Sequence, residues 1–272
     1  MAMNMELIEK VARVSAREAT ASGVNWVFSP MVDIARDARW GRVVEGAGED
    51  PYLGGEIAKA MVYGYQGRDD EFAEDELMAC VKHYALYGAG EAGRDYNTVD
   101  MSERTLREYY LPAYKSAVDA GVKMVMTAFN IVDGVPCVGN KHLVKEILRD
   151  EWGFDGVVIS DYSAVIELIT HGIAEDKKTA AKMAFECGCD IEMCSTAYIA
   201  YLKELIDEGL FDDKKPNSYG VEEIFDKTGF KTERVLSVSN FRSKKLKKLF
   251  VEDVVEAFPL PPFSHVFAGI VR

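Results

Sequence analysis

Asp161 closes the run Gly156-Val-Val-Ile-Ser-Asp161, so a carboxylate stands where a continuous apolar segment ends. The pair Lys82-His83 closes a second run, Met78-Ala-Cys-Val-Lys82, and Phe129 closes a third, Lys123-Met-Val-Met-Thr-Ala-Phe129. Arg42, in Arg39-Trp-Gly-Arg42, lies in the loop after a fourth run, Asn25-Trp-Val-Phe-Ser-Pro30. A carboxylate at such a place can serve as nucleophile or base, and Arg, Lys and His can donate to hydroxyl oxygens. Polar groups beside buried segments are costly unless partnered or used in binding. Each has a plainer alternative: Asp161 could cap the next helix, His83 could make a structural hydrogen bond, and Arg42 could pair with Glu45 or Glu49. Their shared position at strand ends points to one pocket, because parallel α/β folds gather functional groups at the carboxyl ends of strands.

The elements that must hold these groups are legible from periodicity. The four runs and a fifth, Cys189-Asp-Ile-Glu-Met193, are apolar throughout rather than alternating, as strands covered on both faces are. Helical spacing predicts a first helix through Leu7, Val11 and Val14 that stops at Ser22-Gly23. Others are expected over Ser102–Ala120, Asn140–Trp152, Thr179–Cys187 and Ser195–Glu208, the first opened by Asp100 and Glu103 spaced as a capping box. Alternating strands and helices predict an α/β fold. The strands begin near residues 25, 78, 123, 156 and 189, too few for a closed eight-stranded barrel. The choice lies between an open sheet and an incomplete (β/α)8 TIM-barrel-like fold whose first strands are missing. Residues 209–272 break the pattern, with a basic patch, Arg242-Ser-Lys-Lys-Leu-Lys-Lys248, and Phe258-Pro-Leu-Pro-Pro-Phe263. They are expected to form a loosely structured extension or packing arm.

Composition narrows the function classes. Acidic residues outnumber basic ones 45 to 32, a net charge of −13, which repels nucleic-acid phosphates and anionic lipid but not a neutral sugar. No apolar run reaches the roughly 20 residues of a membrane helix, and Met1–Glu6 has no export signal, so a cytoplasmic location is expected for the chain as it stands. Five cysteines suggest buried reduced thiols rather than disulfides or a metal site, since Cys187-Gly-Cys189 has no matching pair. The histidines, His83, His142, His171 and His265, share no metal-ligand spacing. Gly88-Ala-Gly90-Glu-Ala-Gly93 follows a strand, but polar residues follow it where a dinucleotide site needs an apolar helix. A flexible active-site loop is expected there, and no cofactor.

Ala35-Arg-Asp-Ala-Arg-Trp-Gly-Arg42 with Gly48-Glu-Asp-Pro51, Val81-Lys-His-Tyr84 and Trp152-Gly-Phe-Asp-Gly-Val-Val-Ile-Ser-Asp-Tyr162 resemble glycoside hydrolase family 3. The intervening Asn97-Thr-Val-Asp-Met-Ser102 and Met126-Thr-Ala-Phe-Asn130 fit the same pattern, which runs from about residue 6 to 208 and is nearest to bacterial β-glucosidases. The resemblance implies a partial barrel domain over 1–208 and a C-terminal extension, 209–272, unlike the family. It implies a retaining hydrolase of O-glycosyl bonds, most simply a β-glucosidase with β-xylosidase as the other candidate. Asp161 would be the nucleophile, Arg42, Lys82 and His83 would bind sugar hydroxyls, and Tyr162 would stack on the sugar. Phe129 stands where many members have a tyrosine, which removes a hydrogen bond to the nucleophile. Lys82 and Arg42 are expected to keep Asp161 ionised.

The pattern also departs from the family. The glucosidase branch usually takes its acid/base glutamate from a second domain, which residues 209–272 do not resemble. The hexosaminidase branch uses a histidine-bearing loop, and Tyr84-Ala-Leu-Tyr-Gly-Ala-Gly-Glu-Ala-Gly93 has no histidine. An upstream aspartate that grips the sugar has no counterpart either. Weak or no turnover alone is therefore expected, with a non-catalytic sugar-binding remnant as the alternative. The expected partners are a β-linked oligosaccharide or glycoside and a missing domain or complementing chain, with no nucleic acid and no membrane.

Overall fold

A computed structural model describes residues 4–69 and 72–209. The expected extension lies, apart from Gly209, outside the described residues. The apolar runs form five parallel strands: β1 (Trp26–Val27), β2 (Met78–Tyr84), β3 (Met124–Thr127), β6 (Val157–Tyr162) and β7 (Ile191–Met193). They lie in the order β1-β2-β3-β6-β7, and a hairpin of β4 (Ile131–Val132) and β5 (Val135–Pro136) stands apart. Each crossover thus moves one strand along, and the sheet curls into a half-barrel. Of the two architectures the strand count left open, this is the incomplete TIM-like α/β fold.

The period of two along each strand separates two cores. Ala79, Val81, Val125 and Val158 face the helices and join the main core. Met78, Cys80, Met124, Met126, Val157, Ile159, Ile191 and Met193 face the other way and form a second cluster with Trp26, Phe28 and Phe72 against it. Continued upward, those rows reach Lys82 above Cys80 and Asp161 above Ile159. The inner rows of the half-barrel therefore end in the candidate site.

The helices are α1 (Met5–Ala21), α2 (Pro51–Gln66), α3 (Glu103–Thr105), α4 (Pro112–Asp119), α5 (Ala164–Thr170), α6 (Lys177–Cys187) and α7 (Ala197–Asp207), with a π-helical segment over His142–Glu151. Three details depart from expectation. The Ser102–Ala120 helix is capped by Ser102, whose Oγ accepts from the Thr105 amide at 3.2 Å, and not by Asp100. Pro112 cannot donate an amide, so the helix widens into a π turn over Leu106–Tyr110 before α4 begins. Helix α2 has no counterpart in the expected set, because Gly54, Gly55 and Gly64 weaken its propensity. Gly64 is required by packing: a Cβ there would lie 2.5 Å from both Ala12 Cβ and Glu9 O of α1.

His142 ties two of these segments at the surface. Its Nδ1 lies 2.7 Å from Glu146 Oε2 and its Nε2 3.1 Å from Glu103 Oε2. The Glu146 hydrogen bond, with that of Glu103, raises the imidazole above its ordinary range against a smaller desolvation effect. A raised folded value means the stabilisation is complete below the unfolded pKa, about 6.5, and is lost as pH rises through the folded one. The melting-temperature advantage of wild type over His142→Gln should therefore shrink as pH rises above about 6.5. A gap independent of pH would show that the ion pairs contribute nothing.

Candidate active site

Asp33 organises the floor of the site. It is 1% exposed; its Oδ2 accepts from the His83 amide at 3.1 Å and lies 2.8 Å from His83 Nδ1. Its Oδ1 accepts from the Tyr114 hydroxyl at 2.8 Å, and the same hydroxyl also reaches the His83 carbonyl. The imidazole is thereby locked with Nε2 aimed at Asp161 Oδ2, 3.5 Å away. With Nδ1–H donated to Asp33, Nε2 is a lone pair in the neutral ring and a donor in the imidazolium. Asp33 went unrecognised in the sequence, although a charge inside Met31-Val-Asp33-Ile was a usable signal.

Strand irregularities aim the remaining groups. The β2–β3 register slips between Val81 and Tyr84, and the β3-facing strand β6 slips against β7 between Ile159 and Tyr162. A bulge re-aims the side chains it contains, and these two contain Lys82-His83 and Ser160-Asp161. The Ser160 hydroxyl accepts the Met193 amide at 2.8 Å and so holds the second bulge in place.

Asp161 is 9% exposed. Its Oδ1 accepts from the Tyr162 amide at 2.7 Å, while Oδ2 is buried and has no hydrogen-bond partner among the described residues. Burial pushes the carboxyl above the usual range, while His83, the Tyr162 amide, Lys82 and Arg42 pull it back. Lys82 and Arg42 act in the direction expected of them, toward the ionised form, while loss of solvent is the larger effect.

Arg42 is held in a fork by Glu45, Nε to Oε1 at 2.7 Å and Nη2 to Oε2 at 2.8 Å, and lies 5.4 Å over the Tyr87 ring. Of the two acids weighed, Glu45 is its partner. Phe129 is buried 4.3 Å from the Tyr96 ring centroid and 5.7 Å from that of Tyr87. Tyr87 also stacks edge-on against His83 at 5.0 Å. Tyr162 is 49% exposed at the rim. The structure thus brings His83 beside Asp161, with Lys82 and Arg42 within electrostatic reach of it, Phe129 joined to His83 through Tyr87, and Tyr162 exposed next in the chain.

The glycine-rich loop is packed rather than flexible. A Cβ on Gly88 would meet Ile34 O at 2.5 Å, and Gly93, at φ +67°, abuts Arg39 and Trp40. Those close approaches explain its glycines without a dinucleotide. Among the described residues Cys80, Cys137, Cys187 and Cys189 are buried free thiols, and Cys194 is half-buried.

Comparison with known proteins decides the lineage. Residues 1–217 match the model of the glycosyl hydrolase family 3 N terminal domain. The chain belongs to glycosyl hydrolase family 3. It is 45% identical over 208 residues to the periplasmic β-glucosidase of Salmonella typhimurium, covering 76% of this chain and 27% of that protein. A β-xylosidase of Formosa agariphila is 46% identical over 192 residues, covering 69% and 27%. The β-glucosidase of Listeria innocua, solved with glucose, superposes with a TM-score of 0.76 at 53% identity, covering 78% and 30%. This family 3 chain thus spans less than a third of the length of those relatives.

Proposed function

We propose that the chain carries the nucleophile half-site of a retaining β-glycosidase acting on β-glucosides, with β-xylosides as the second substrate class. The observation that carries the reading is Asp161 Oδ2: a buried carboxylate oxygen, unpartnered, faced by His83 and by two cations. A carboxylate so placed is stripped of solvent and free to form a bond. It attacks the anomeric carbon and forms a glycosyl ester, which water then hydrolyses with net retention. Lys82, His83 and Arg42 supply donors for the sugar hydroxyls, and Tyr162 and Phe129 supply aromatic surface. Asp33 fixes the His83 ring, and Glu45 fixes the Arg42 guanidinium.

Dinitrophenyl 2-deoxy-2-fluoro-β-glucoside tests this, since its leaving group needs little protonation. Intact-mass analysis should show one fluoroglucosyl adduct per chain, carried by the peptide containing Asp161. Glucose binding by calorimetry with no adduct would instead select a sugar-binding protein without the chemistry.

A further inference from the structure

Asp33 holds more than the angle of the His83 ring. Its side chain is fully buried, that of His83 is 2% exposed, and that of Asp161, on the other side of the imidazole, is 12% exposed. Every contact Asp33 makes is an accepted one: the His83 amide at 3.1 Å, His83 Nδ1 at 2.8 Å and the Tyr114 hydroxyl at 2.8 Å. The amide and the hydroxyl are neutral, so among the described residues the cation that pairs with this carboxylate is His83. A buried carboxylate without a counter-charge is costly, and the imidazole beside it meets that cost by carrying its second proton. Nε2 then bears a hydrogen and aims it at Asp161 Oδ2, 3.5 Å away.

Resting on the hydrolase reading, we propose that Asp33 is a positioning residue for the second half of the reaction: it keeps His83 cationic while Asp161 is esterified. In the free site two carboxylates flank the imidazolium, and either balances it. Once Asp161 has bonded to the anomeric carbon its charge is gone, and Asp33 alone balances the ring. When the ester breaks, an electron pair of the acceptor bonds to the anomeric carbon, and the pair of the breaking C–O bond returns to Asp161. The carboxylate so restored forms opposite Nε2–H, which donates a hydrogen bond and keeps its proton. Without Asp33 the esterified site would hold an unbalanced buried cation. His83 would shed that proton, and the charge forming on Asp161 would face a lone pair.

The other groups round His83 do not replace Asp33. Tyr87 lies edge-on to the imidazole at 5.0 Å, and Tyr114 reaches the His83 carbonyl with a neutral hydroxyl. Lys82 and Arg42 are themselves cations. Glu45 is committed to the Arg42 fork, and its side chain is 41% exposed.

The test follows the fluoroglucosyl adduct by intact mass, formed with the dinitrophenyl fluoroglucoside and released with azide, an acceptor that needs no base. Asp33→Asn keeps the shape of the side chain and removes its charge, whereas Tyr114→Phe removes one of its hydrogen bonds and keeps the charge. In Asp33→Asn release should slow by roughly 10–100-fold, the worth of one hydrogen bond to a charged group. Labelling should slow far less, because Asp161 is then still a carboxylate and balances His83 itself. Tyr114→Phe should keep the wild-type ratio of the two rates. Equal slowing of both steps in Asp33→Asn, or the same selective change in Tyr114→Phe, would overturn the proposal, while the wild-type adduct keeps the hydrolase reading intact. A wild-type adduct that azide does not release would overturn it too. Should Asp33→Asn fail to fold, His83→Gln, which removes the cation itself, carries the same expected and overturning results. Absence of any adduct in wild type would remove the hydrolase reading and this inference together.

Discussion

Asp161→Ala should hydrolyse dinitrophenyl β-glucoside about 10⁴-fold more slowly than wild type, or worse, because an activated leaving group still needs a nucleophile. The same substitution should abolish the fluoroglucosyl adduct. Loss of activity through misfolding is separable, because Asp161 costs the folded state something. Its carboxyl is desolvated with an orphaned oxygen, and its folded pKa is raised. For such an acid, stability is complete below the unfolded value, about 3.9, and is lost as pH rises through the folded one. The alanine variant should therefore melt at or above the wild-type temperature at neutral pH, with no such gain near pH 3. The acid limb of kcat/KM should likewise lie above the ordinary carboxylate range, since only ionised Asp161 attacks. Residual activity equal to wild type, or a large drop in melting temperature, would defeat the assignment.

Much of this arrangement is legible in the sequence, for a physical reason. A strand buried on both faces must be apolar along its length, so the first polar residue after the run marks its end. That logic located Asp161, Lys82 and His83 and the five strands that carry them. It failed where packing or a distant partner decides. Helix α2 is glycine-rich because α1 lies against Gly64 and α4 against Gly54 and Gly55, which reads locally as a poor helix. Asp33 is committed to His83 and Tyr114, 50 and 81 residues away, and nothing adjacent announces either. The bulges that aim the site are register events between strands, invisible to a period of two. The direction of the Asp161 shift depends on how much solvent is lost, which spacing cannot supply.

Arg149→Met should destabilise the fold by about 3–5 kcal/mol, a large part of the 5–15 that a domain commonly has. Its guanidinium is buried, with Nη2 donating to Asp190 Oδ2 at 2.7 Å and Nη1 to the carbonyls of Phe154 and Gly156. Asp190 Oδ2 in turn accepts the Val158 amide at 2.8 Å. The pair thus joins the π-helical segment to the β6–β7 ladder below the nucleophile. Removing the arginine strands a carboxylate at 2% exposure and unpairs two carbonyls, and a buried polar group without a partner is costly. Asp190→Asn keeps an oxygen for Val158 but strands the cation. Arg149→Met with Asp190→Asn should therefore cost less than the sum of the single changes, because neither charge is left unpaired. Urea midpoints at constant m-value, assembled into that double-mutant cycle, measure the coupling. Strict additivity would mean the two charges do not support each other, and the carbonyl contacts of Arg149 alone would then carry its effect.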